Sequence, residues 1–96
     1  MILHTVWFKL KDNITAGEKQ ELTDNLLTMI PQIPQIIEMH CGEDFSGRSR
    51  GFEFGLVVKF ATREDGQIYD KHPFHHEFIA KSKHLWTDVQ ALDFEV

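Results

Sequence analysis

The stretch QIYDKHPFHHEF, residues 67–78, places Tyr69, His72, His75 and His76 within about two helical turns of one another. Imidazole can accept a proton near neutral pH, and a phenol can donate one to a developing oxyanion. One window therefore holds the parts of an acid/base pair. His4, far away in the chain, is a further imidazole that a fold could bring to the same place. A metal site would need a different arrangement. His72, His75 and His76 have the i, i+3, i+4 spacing of neighbours on a helix, but His72 precedes Pro73 and is pushed out of the helical region. His75 and His76 then point about 100° apart. No cysteine pair completes a tetrahedral shell, so neither a metal nor another cofactor is expected.

Which imidazole faces inward follows from periodicity. On a helix starting near Pro73, a stripe of Phe74, Phe78, Ile79, Leu85 and Trp86 includes His75, leaves His76 at its edge and puts His84 opposite. His75 also sits in the first turn, where the helix dipole disfavours imidazolium. His75 is thus the candidate base, Tyr69 the candidate proton donor, and His4 a third catalytic candidate. His72 is expected to cap the helix, and His76 and His84 to be solvated.

The elements that must hold these groups are legible. Residues 2–10 alternate, with Ile2, His4, Val6, Phe8 and Leu10 on one side and Leu3, Thr5, Trp7 and Lys9 on the other, a first strand. Thr15 with Glu18 forms a capping box that opens a helix carrying Leu22, Leu26 and Met29, widened by Leu27 and Ile30 and ended by Pro31 and Pro34. Residues 36–45 read as a second strand and SGRSRG, 46–51, as a turn. Residues 51–60 read as a third strand with Phe52, Phe54, Leu56, Val58 and Phe60 on one face. A helical region in two pieces, broken before Pro73, leads to a fourth strand at 89–96. The order β-α-β-β-α-β predicts an α+β, ferredoxin-like domain over 1–96, with a four-stranded antiparallel sheet and helices on one face. An apolar pocket between sheet and helices is expected from Val6, Phe8, Leu26, Phe54, Leu56 and Trp86.

Two helices cover one face of such a sheet. The other carries Leu3, Trp7 and Val57, with Leu92 and Phe94 joining them, a surface that a second copy would bury in a two-fold homodimer. The net charge of −5, ten basic against fifteen acidic residues, argues against nucleic acid or an anionic membrane surface as a partner. The single cysteine, Cys41, cannot form an intrachain disulfide and reads as a small strand residue. With no apolar stretch of membrane-spanning length and no secretory signal pattern, the expectation is a cytoplasmic protein.

Taken together, HTVWFKLKDNIT, GRSRGFEFGLVVKF, YDKHPFHHEF and DVQALDFEV resemble, in the same order, the stress-responsive dimeric α/β-barrel (Dabb) family. The most specific piece is Tyr69-x-x-His72-Pro73-x-His75, supported by His4 and by Asp93-Phe94. The resemblance implies two ferredoxin-like subunits pairing their sheets into a barrel. One branch of that family, the plant polyketide cyclases, closes linear polyketides by aldol chemistry with a tyrosine and a histidine at the positions of Tyr69 and His75. Phe54 stands where that branch has another histidine, and Thr23 and Leu26 replace aromatic residues of its tail pocket, so its substrate is not carried over. The functional expectation is a dimeric binder of a small apolar or carbonyl-containing molecule, acting as a cyclase- or lyase-like enzyme. Its alternatives are a non-catalytic stress-response or ligand-binding homodimer and, on fold analogy alone, a cofactor-independent monooxygenase.

Overall fold

Period-two alternation in the first ten residues produces strand β1 (Ile2–Leu10), with Ile2, Val6, Phe8 and Leu10 buried on one side. The computed structural model describes all of residues 1–96. Helix α1 (Ala16–Leu27) starts at the capping box: the Thr15 hydroxyl accepts from the Glu18 N–H, and the Glu18 carboxylate accepts from the Thr15 N–H. A short helix α2 (Met29–Gln32) follows, then β2 (Glu38–Glu43), β3 (Phe54–Phe60), α3 (Arg63–Lys71) and α4 (Pro73–Ser82). A 3₁₀ turn (Lys83–Leu85) leads into β4 (Trp86–Glu95). No helix is long and apolar enough to cross a membrane.

The strands form one antiparallel sheet in the order β2-β3-β1-β4, the ferredoxin-like arrangement. Its covered face presents Phe54, Leu56, Val58 and Phe60 beside the β1 set, against Leu22, Leu26, Met29, Tyr69, Phe78 and Leu85 from the helical layer. Burial of these side chains is the main driving force for the fold. The one buried polar side chain, Ser82, is satisfied by the Asn25 amide, which donates to its hydroxyl at 2.9 Å.

Several local expectations change. Pro31 does not end the first helix. The chain breaks at Thr28, and Pro31 falls in the first turn of α2, where its missing N–H has no intrahelical partner to lose. Leu27 and Ile30 lie on the solvent side rather than widening the stripe. Strand β3 begins at Phe54, not 51, because the Asp44 carboxylate organises a longer loop by accepting from the Ser46 hydroxyl and the Gly47 N–H. Beyond α3 the inward stripe narrows. Phe78, Ser82 and Leu85 are buried, while Phe74 and Ile79 are surface residues. Trp86 belongs to β4, not to the helix, since the 3₁₀ turn overwinds the chain and releases it into the sheet three residues before the expected 89.

On the uncovered face Trp7 is 45 % exposed, Leu92 56 % and Phe94 45 %, with Val57 beside them. Strand β4 is an edge strand with little cover on either side, so Val89 is also open although it faces the helical layer.

Candidate functional site

Proline at position 73 decides the local geometry of the histidine cluster. His72 is held extended before it (φ −68°, ψ 138°), so α3 ends there and α4 begins anew. The His72 Nδ1 accepts from the Phe74 N–H at 3.1 Å, making this imidazole the N-cap of α4. His75 therefore sits in the first turn of α4, directed back toward the end of α3. Its Nδ1 lies 3.1 Å from the Asp70 carbonyl oxygen. A carbonyl can only accept, so Nδ1 carries the hydrogen and Nε2 of neutral His75 carries the free lone pair.

The His75 ring packs against Tyr69 with centroids 4.6 Å apart. Tyr69, in the last turns of α3, is 1 % exposed and is further enclosed by Phe60 at 5.1 Å and His4 at 5.7 Å. The three candidates named from sequence, His4, Tyr69 and His75, thus belong to one aromatic cluster drawn from β1, α3 and α4. Burial lowers the His75 pKa below the ordinary histidine value, opposed by the Asp70 carbonyl and carboxylate. Burial, with the nearby Asp70 charge, raises the Tyr69 phenol well above its ordinary value. At neutral pH the pair is a neutral imidazole beside a neutral phenol.

His4 has a partner that sequence reasoning missed. Across the sheet it is in register with Asp93 of β4, and its Nδ1 is 2.5 Å from the Asp93 Oδ1. The signal was present in LDFEV, where Asp93 alternates with outward-facing Leu92 and Phe94, but only the β1–β4 register sets it opposite His4. Both residues border a cavity of about 370 Å³, together with Ile2, Phe60, Arg63 and Gln67. Arg63 is engaged by Glu95, Nε to Oε1 2.8 Å.

The expected pocket walls lie elsewhere. Val6, Phe8, Leu26, Phe54 and Leu56 are packed in the core, and Trp86 is half-buried against Phe8 and Phe78. None of these six borders the cavity at His4. Aromatic bulk is the physical reason: Phe8, Phe54, Phe78 and Trp86 fill the space between sheet and helices with one another. His76 is exposed, and His84 lies 3.4 Å from Glu21 at the surface. No three metal-ligating side chains converge anywhere in the chain. Burial pushes the Cys41 thiol up, opposed by the Thr23 hydroxyl, which keeps it protonated and weakly nucleophilic.

Comparison with known proteins gives these features a context. Residues 2–96 match the profile of the stress responsive A/B barrel domain. The chain is 25 % identical over 95 residues to olivetolic acid cyclase of Cannabis sativa, covering 97 % of this chain and 94 % of that one. It is 24 % identical to the stress-response A/B barrel domain-containing protein DABB1 of Arabidopsis thaliana, of whose length it spans 46 % while 98 % of the chain is covered. Among solved structures, a dimeric ferredoxin-like protein of unknown function from Thermobifida fusca superposes with a TM-score of 0.85 at 21 % identity, covering 99 % of this chain and 90 % of that one. The hydroxynitrile lyase of Passiflora edulis superposes with a TM-score of 0.86 at 16 % identity, covering 97 % and 90 %.

Proposed function

The chain belongs to the stress responsive A/B barrel (Dabb) family, and on that premise we propose that it is a homodimeric, small-molecule acid/base enzyme of the cyclase or lyase type. The observation that carries the reading is the hydrogen bond from His75 Nδ1 to the Asp70 carbonyl, with the ring packed at a tilt of 42° against Tyr69. It leaves Nε2 as an unprotonated acceptor, kept neutral by burial, next to a phenol that remains a donor. In this reading Nε2 removes a proton from a hydroxyl or from a carbon beside a carbonyl, and the Tyr69 O–H donates to the oxygen on which charge develops. The substrate class is a neutral, carbonyl-forming or carbonyl-containing compound. Three carboxylates, Asp70, Asp93 and Glu95, border the cavity at His4 against one paired guanidinium, which disfavours an anion there. Tyr69 and His75 do not line that cavity but adjoin it through His4, Phe60 and Asp70.

The assembly follows from the uncovered sheet face. We place the partner subunit on Trp7, Val57, Leu92 and Phe94, because a second identical face would remove that apolar surface from water.

One observation favours a second reading, a ligand-binding homodimer without turnover: the residues expected to wall a pocket beside His75 and Tyr69 are tightly packed instead. Turnover assays separate the two. Cleavage of cyanohydrins and ring closure of linear polyketones, each in the wild-type protein and in His75→Ala and Tyr69→Phe, should show activity in one class that both substitutions lower by about a hundredfold or more. Binding of the same compounds without turnover, unchanged by either substitution, would replace the enzyme reading with the binding one.

A further inference from the structure

The two inward imidazoles are oriented in the same way by different means. His75 is fixed through Nδ1 by a main-chain carbonyl, which substitution cannot remove. His4 is fixed through Nδ1 by a side chain, Asp93, which substitution can remove. The Asp93 carboxylate lies on an exposed edge strand and borders the cavity, whereas the His4 side chain is only 13 % exposed. The other charged groups at this cavity do not compete for His4. Arg63 is taken by Glu95, and no hydrogen bond or ion pair links Asp70 to His4.

We propose that Asp93 is a positioning residue that holds neutral His4 in the Nδ1–H form, leaving Nε2 as a second free acceptor in the Tyr69 cluster. An ionised carboxylate only accepts, so its contact with Nδ1 selects the tautomer with hydrogen on that nitrogen. A hydrogen bond to a charged group favours that form by about tenfold or more over its alternative. The ring is also held edge-on to Tyr69, 5.7 Å away at 62°, so a freed ring could turn and lose that relation. The consequence for chemistry is that the cluster offers a proton acceptor on each side of Tyr69, His75 from α4 and His4 from β1. Substrate can then be deprotonated by one imidazole while the other remains available to Tyr69 or to a second site on the same molecule. This inference rests on the acid/base reading for its use, but the arrangement of the tautomers does not depend on turnover.

Long-range proton–nitrogen correlation spectra of uniformly ¹⁵N-labelled protein read the tautomer of each histidine directly. They should be recorded well above the ordinary histidine pKa of about 6.5, where neutral rings prevail. In the wild type His4 and His75 should both show a protonated Nδ1 and an unprotonated Nε2. In Asp93→Ala, His4 should lose that pattern in favour of the other tautomer or a mixture, while His75, tied to the main chain, stays unchanged and reports that the cluster is still folded. Thermal melting of the variant provides a second check on folding, and the exposed strand position makes a large loss unexpected. A wild-type His4 that is protonated on Nε2 or on both nitrogens overturns the proposal. So does an Asp93→Ala spectrum in which His4 is unaltered. Failure of the enzyme reading is a different result: His75→Ala without effect on any turnover, with the His4 tautomer still set by Asp93.

Discussion

At the scale of single residues, burial and one main-chain carbonyl distinguish His75 from its neighbours. Its lowered pKa makes a signed prediction. Above the free value of about 6.5 both folded and unfolded chains are neutral at this position, and it contributes no pH dependence. As the pH falls through that value the unfolded chain takes up the proton first, so stability declines until the lower, folded pKa has been passed, and then levels. Chemical denaturation at a series of pH values should show this acid-side loss, and His75→Gln should flatten it. Histidine-resolved titration should place His75 below the ordinary value, and a normal titration would refute the assignment. Tyr69 allows a separation of roles. Its shift arises from burial and the Asp70 charge, with no hydrogen bond to its hydroxyl among the causes. Tyr69→Phe should therefore leave the melting temperature nearly unchanged while removing the proton donor. Tyr69→Ala, which empties a buried aromatic site, should cost about 3 kcal/mol in denaturant unfolding.

Elements matter here because their ends aim the side chains. The break at His72–Pro73 turns one helical region into two, and only the second start brings His75 back over Tyr69. The capping groups are correspondingly valuable. Thr15→Ala should cost about 1 kcal/mol by removing the acceptor for the Glu18 N–H, and Thr62→Ala at the start of α3 should cost a similar amount for the Asp65 N–H. Urea unfolding measures both. Of the two, only Thr62→Ala should also disturb the aromatic signals of Tyr69, since α3 carries that residue. In the loop before β3, Gly51 has φ +92°, and a Cβ there would meet the Lys9 side chain at 3.2 Å. Gly51→Ala should destabilise by about 1 kcal/mol through the backbone conformation, because the flexible lysine can move aside.

The whole molecule is a half-covered sheet. One face is closed by helices, and the other presents Trp7, Leu92 and Phe94 across β1 and β4. An aromatic residue at the middle of such a face is the usual anchor of an interface. The wild-type protein should sediment as a dimer at micromolar concentration. Trp7→Glu should weaken association by about 2 kcal/mol or more, since a carboxylate would be taken out of water without a partner. Sedimentation of both proteins over a range of concentrations tests this, and a monomeric wild type would remove the assembly from the proposal.

Periodicity and capping chemistry are local, which is why the order of elements, the inward histidine, the Thr15–Glu18 cap and the divided helix at Pro73 could be derived from the chain alone. A strand must alternate and a helix must repeat near 3.6 residues whatever lies around it. Where the expectation depended on which neighbour fills a space, it failed. Trp86 moved from helix to strand, Phe74 and Ile79 turned to solvent, and the supposed pocket walls Val6, Phe8, Leu26, Phe54 and Leu56 became core. No local pattern specifies how large side chains share a volume, because close packing is settled by all of them at once. The same holds for Asp93. Its residue type was visible from the start, but its contact with His4 across 89 positions in the chain exists only through the pairing of β1 with β4. Sequence determined which residues could act as acid or base, and tertiary register decided which of them meet.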